Sequence, residues 1–183
     1  MLTIIIPAQS RWDEISEQFI DTEDVVLELE HSLLSMSEWE AKYKKPFMDE
    51  HNQKTAQEWF DYIYMMRLDK SITPDKLINL TAENIEQIKE YINDKRTATT
   101  LTKEQLGKPS REIVTSELIY AWLVLQNIPF DVETWHVSRI LTLVNVVSIK
   151  NQPPKKESPS DAMNRARATK RSMRASRPHI PKH

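Results

Sequence analysis

Five histidines, several pairs of carboxylates and a run of arginines are the side chains of this 183-residue chain with the capacity for chemistry. In Met48-Asp49-Glu50-His51-Asn52, two acids beside a histidine superficially resemble a cation site. They occupy neighbouring positions of a loop, however, and no metal-motif spacing repeats there. Trp135, His136 and Arg139 could hold an anion, with the arginine one turn beyond the rings; the competing reading is a satisfied histidine at the edge of a core. Glu28 with Glu30, and Glu38 with Glu40, have the composition of a general acid and base, yet these spacings are those of ordinary solvated strand and helix faces. The absence of cysteine removes disulfides, thiol nucleophiles and thiolate metal sites. Gly107 is the sole glycine, so no phosphate loop, dinucleotide fingerprint or nucleophile elbow is present. The expectation is a chain that is not an enzyme, with no catalytic residue, metal site or cofactor.

Charge is divided unevenly along the chain. Residues 151–183 hold nine basic side chains against two acids, a net of +7, which leaves 16 basic and 25 acidic residues in 1–150, a net of -9. Lys155, Lys156, Arg165, Arg167, Lys170, Arg171, Arg174 and Arg177 form the candidate partner-binding tail. Such an arm suits nucleic acid, an acidic partner surface or its own acidic body. The tail holds no tryptophan, tyrosine or phenylalanine to stack on bases, and Trp39, Trp59, Trp122 and Trp135 read as core residues on the apolar sides of helices.

The elements that must position these groups are mostly helical. Leu2–Ile6 and Val25–Glu30 suit two short strands of a ribbon, which needs a helical layer beneath it. Ser35 with Glu38, and Thr55 with Glu58, fit capping boxes opening helices. Thr73-Pro74 reads as a cap with proline at the first helical position, and Thr81 starts a helix expected to turn Ile85, Ile88 and Ile92 inward. Residues 95–110 lose the apolar period and read as a surface loop. Arg111–Gln126 and a helix capped by Asp131 then predict an antiparallel hairpin as the central element. The second helix, apolar from Ile140 to Ile149 except for a narrow polar stripe, is expected to be buried on most sides.

Pro153 and Pro154 end the folded pattern, because proline lacks an amide donor and forces its predecessor out of helical angles. The fold expected is mostly α with a small N-terminal β ribbon (α+β): a helical domain over 1–150 built round the C-terminal hairpin. A flexible basic tail, disordered or conditionally helical, follows over 151–183. No segment approaches the run of about 18–20 apolar residues that a membrane span requires, so a soluble, unexported chain is expected.

Two stretches carry a family resemblance: "LELEHSLLSMSEWEAKYKKPF" and "TSELIYAWLVLQNIPFDVETWHVSRILTLVNVVSIKNQPPKK". The pattern comprises Ser35, Trp39, Glu40, Lys42, Lys45, Pro46 and Phe47, then Thr115, Ser116 and Glu117. It continues with Ile128, Pro129 and Phe130, with Trp135, His136 and Arg139, and with Asn151 and Pro153 through Lys156. It resembles a family of small proteins encoded in the virion structural region of tailed bacteriophages, near tail-tube and tape-measure genes. The resemblance implies a tail assembly chaperone acting in the host cytoplasm on tape-measure or tail-tube protein, with homo-oligomerisation compatible with that role. A structural part of the virion tail or neck is the first alternative. Nucleic-acid binding through the basic tail is the second.

Overall fold

The computed structural model describes residues 1–14, 17–21, 23–103, 112–152 and 159–175. Its chain divides into two compact units, Met1–Lys150 and Asn151–His183.

In the first unit, β1 (Leu2–Ile6) pairs antiparallel with β4 (Val25–Leu29) in the register Leu2↔Leu29 to Ile6↔Val25. The period of two sends Ile4, Ile6, Leu27 and Leu29 into the core and leaves Ile5 and Val26 outside. This is the ribbon the sequence predicts. The connection between its strands holds a second hairpin that the sequence reading passes over, β2 (Ser10–Asp13) with β3 (Gln18–Asp21). Trp12 and Phe19 sit opposite each other in its register, edge to face at 5.1 Å.

Helix α1 (Leu33–Tyr43) follows β4 directly. Its cap lies one turn earlier than the sequence reading: Ser32 accepts from the Ser35 amide and Ser35 Oγ accepts from the Ser32 amide, both at 3.1 Å. The side chain at the third helical position is thus Ser35, and the expected Ser35–Glu38 box is not formed. Leu33, Met36, Trp39 and Glu40 form the buried face of α1. Trp39 is fully buried, and its indole donates to the Glu58 carbonyl at 2.8 Å.

Helix α2 (Ala56–Met66) opens at the expected Thr55–Glu58 box. A 3-10 turn (Pro74–Leu77) and helix α3 (Ala82–Asn93, capped by Thr81) come next. On α3 Ile88 is buried, but Ile85 is 38% exposed, against the expectation that it faces inward. Lys95–Thr102 carries neither strand nor helix, in keeping with a loop.

Helix α4 (Ser116–Leu125) buries Ser116, Ile119 and Leu123 and leaves Leu125 77% exposed. The segment Phe130–Thr134 is a second 3-10 turn, and α5 runs Val137–Asn151. Asp131 therefore lies inside the turn and does not cap α5. Tertiary pairing sets this boundary: Ser32 and His136 form a β-bridge, and the Val137 amide donates to the His31 carbonyl at 2.9 Å. His136 is thereby kept extended, and the helix begins after it.

The packing centre also differs from the expected hairpin. Helix α1 lies against α2, α4 and the second 3-10 turn, whereas α4 and α5 make no comparably extensive contact with each other. Helix α5 buries only Val137, Ile140 and Val144, so it covers one side of the core and is not enclosed. The backbone at Glu30–Ser32 ties the halves together. On one side the Glu30 amide donates to the Met66 carbonyl at 2.9 Å, and on the other the bridge to His136 joins the C-terminal elements.

In the second unit, α6 runs Pro159–Ala175, and its described side chains at 163–171 are exposed. The tail expected as disordered or conditionally helical thus contains a helix over this span. Among the described residues, no helix is long and apolar enough to cross a membrane.

Candidate partner-binding groove

Helix α2 is set by its N-terminal box. Thr55 Oγ1 accepts from the Glu58 amide at 3.2 Å, while Glu58 Oε2 accepts from the Thr55 amide at 2.7 Å. The other Glu58 oxygen pairs with Lys45 at 2.6 Å, and that hydrogen bond from Lys45 holds the carboxyl below its ordinary range. Helix α3 is set the same way by Thr81 and Asn84, and Asn84 Nδ2 also donates to the Ile5 carbonyl on β1 at 3.2 Å. Proline at the start of the intervening 3-10 turn fixes φ there, so Leu77 points into the core and Ile78 does not.

Between these elements lies a cleft of about 370 Å³, lined by Trp59, Phe60 and Ile63 of α2, Leu77 and Ile78 of the turn, and Ile85 of α3. Buried Ile88 lies at its inner wall, and Lys89 is the one charged side chain in its lining. Ile78 is 61% exposed. Apart from Lys89 the lining holds no side chain that acts as an acid, base or nucleophile. The surface can take up apolar side chains presented at helical spacing by a partner.

Trp59 also belongs to a closed neighbour of the groove. Lys54 Nζ lies 5.4 Å from the Trp39 ring, 4.3 Å from Phe47 and 5.4 Å from Trp59, and donates to the Phe47 carbonyl at 2.7 Å. Burial lowers the pKa of this lysine. The site is a cation held among aromatic rings, filled by the chain itself.

The carboxylates expected on solvated faces divide. Glu40 is buried, with Oε1 accepting from the Phe47 amide at 2.7 Å and Oε2 from the Ser116 amide at 2.7 Å and the Ser116 hydroxyl. It ties α1 to the following loop and to the start of α4. Its partners are 7 and 76 residues away, so no local pattern marks it.

His31 and His136 meet in the core with ring centroids 4.9 Å apart. His31 Nδ1 hydrogen-bonds the buried Tyr62 hydroxyl. Burial, with the neighbouring His136 second, lowers the His31 pKa to about 3, and burial raises that of Tyr62. His136 Nε2 lies 3.1 Å from the Tyr91 carbonyl, and a carbonyl only accepts, so Nε2 carries the proton. Its Nδ1 then accepts from the Ser138 hydroxyl at 2.8 Å. Burial lowers the His136 pKa. Both ring nitrogens are engaged, so His136 is a satisfied core histidine and not an anion ligand. Trp135, expected in the core, is 38% exposed, with the Arg139 guanidinium 4.6 Å over its ring. His51 lies exposed in its loop, and among the described residues no group of acids and histidines is arranged to hold a metal.

Of the eight tail residues, Arg165, Arg167, Lys170 and Arg171 lie exposed on α6. Arg167, Lys170 and Arg171 share one face at the i, i+3, i+4 spacing. Arg174 lies within the helix, with its side chain outside the described set; Lys155, Lys156 and Arg177 are outside the described residues. No protein-family model matches this chain, and neither does any curated protein or solved structure.

Proposed function

We propose that the chain is a non-enzymatic assembly factor of a tailed bacteriophage, which holds a helical segment of tape-measure or tail-tube protein before the tail is built. The apolar groove between α2 and α3 carries this reading. Its cavity of about 370 Å³ is apolar except for Lys89, which suits the apolar face of an amphipathic helix. The acidic body, net -9, favours a client helix whose flanks are basic. The resemblance of residues 27–47 and 115–156 to phage tail-region proteins supplies the client class.

An assembly factor leaves when assembly is complete. Quantitative mass spectrometry of infected-cell lysate beside purified particles should find the protein abundant in the lysate and missing from the particles. Fixed stoichiometry in the particles would overturn the assembly role and make the chain a tail or neck component.

A second reading, nucleic-acid binding through α6, draws on the exposed row Arg167, Lys170 and Arg171. It requires affinity that falls steeply with salt and disappears on truncation after Gln152. Salt-independent or undetectable binding of duplex and single strands would remove it.

A further inference from the structure

A polar cleft of about 480 Å³ lies between the end of α3, the loop after it and the start of α5. Arg96 and Arg139 both line it. Arg139 is exposed, its guanidinium rests over the Trp135 ring, and no carboxylate among the described residues lies within ion-pairing distance of it. Arg96 stacks over the Tyr91 ring at 4.7 Å, with Asp94 3.4 Å from its Nε and the Met1 carbonyl 3.2 Å from Nη2.

The one carboxylate in the lining is Glu30, and it is already occupied. Its Oε1 accepts from the Tyr91 hydroxyl at 2.6 Å, and its Oε2 pairs with the Met1 amine at 2.7 Å. In a body of net charge -9 this cleft therefore presents more cationic than anionic groups. Contact with a ring face leaves the N–H donors of Arg139 available, whereas Arg96 already uses Nε toward Asp94 and Nη2 toward the Met1 carbonyl and offers only its remaining donors. His136, in the same lining, is neutral with both nitrogens engaged, so it neither competes for an anion nor repels a cation.

We propose that this cleft binds a phosphate monoester. The open guanidinium fork of Arg139, supplemented by the remaining donors of Arg96, matches the doubly charged, multi-oxygen phosphate better than a single carboxylate. The volume exceeds that of phosphate alone, and the half-exposed Trp135 ring provides a surface for an attached base or sugar. The phosphate belongs either to a free nucleotide or to the 5′ end of a nucleic-acid strand. No residue lining this cleft also lines the apolar groove.

The test is calorimetric titration of the full chain with inorganic phosphate, adenosine 5′-monophosphate, and one oligonucleotide prepared with and without a 5′-phosphate. Comparing the two oligonucleotides cancels any contribution from the basic helix. The expected result is saturable binding of the monophosphate, weakened about tenfold or more by Arg139→Ala and less by Arg139→Lys, with the thermal melt unchanged. A gain in strand affinity on adding the 5′-phosphate, lost in Arg139→Ala, assigns the site to nucleic-acid ends; equal affinity of the two strands with saturable monophosphate binding assigns it to free nucleotide. Absence of binding by all four probes at millimolar concentration overturns the proposal. So does binding that survives both Arg139→Ala and Arg96→Ala.

Discussion

Trp59 borders two regions of opposite character. Toward Lys54 it joins Trp39, Phe47 and Tyr62 in a packed cluster whose rings, cation and carbonyl all come from the chain itself. Toward α3 it lines a groove where Ile78 and Ile85 remain exposed. The residue types are alike on both sides, so hydrophobicity alone does not separate structure from function. What separates them is completion: on the closed side the Lys54 ammonium, the Trp39 indole and the Tyr62 hydroxyl all have partners, while on the open side apolar surface stays in contact with water. A monomer gains nothing from that exposure, and it becomes useful when a partner covers it.

The sharpest way to break this comparison is to remove a satisfied group from the closed side. Glu40→Ala takes the acceptor from two backbone amides and a serine hydroxyl, so we expect a loss of about 3–5 kcal/mol in urea unfolding. A change below about 1 kcal/mol would show that the network contributes little.

Acid should act on the same side. The His31 pKa is depressed from 6.5 to about 3 in the fold, so the unfolded chain binds the proton more readily between those values. The stabilisation is complete above about pH 6.5 and is lost as pH falls toward 3. Between pH 7 and pH 5 the expected loss is on the order of 2 kcal/mol. His136, shifted the same way, adds to it. Unfolding free energies at the two pH values, in the parent and in His31→Asn, measure this; an equal pH slope in both would rule out His31 as its source.

A smaller effect belongs to the scaffold that both regions share. Thr55→Ala should cost about 1 kcal/mol through loss of the α2 cap. Smallest is the open side: Ile78→Ser and Ile85→Ser should each change stability by less than about 0.5–1 kcal/mol, since both side chains are already partly in water. A larger loss would mean that these residues complete the core and that the groove is only a surface depression.

The closed side was partly legible in the sequence and the open side was not. Alternation marked β1 and β4, and the threonines at 55 and 81 marked two helix starts, because these signals are local. The start of α1 differs from the expected Ser35 because Ser32 also suits a cap, and the third helical position is filled by serine in place of the usual acid. Asp131 does not cap α5 because His136 pairs with Ser32, some hundred residues earlier, which delays the helix. Glu40 looked like a solvated acid since Ser116 is far along the chain. The groove depends on which apolar faces remain uncovered after packing, and Ile85 and Ile88 differ in that respect while sharing the same helical period. The tail was legible as charge, and the face shared by Arg167, Lys170 and Arg171 follows once α6 is helical.

The central claim is that the open side of Trp59 is a client-binding surface. Its most direct test, on the proposed assembly role, is co-expression with tape-measure and tail-tube proteins of the proposed source phage, followed by affinity capture of the parent and of an Ile78→Glu, Ile85→Glu double variant with an unchanged melting curve. The account predicts that the parent retains one of the two clients and that the folded double variant loses it. Equal retention by both, or retention of neither client by the parent, would contradict it.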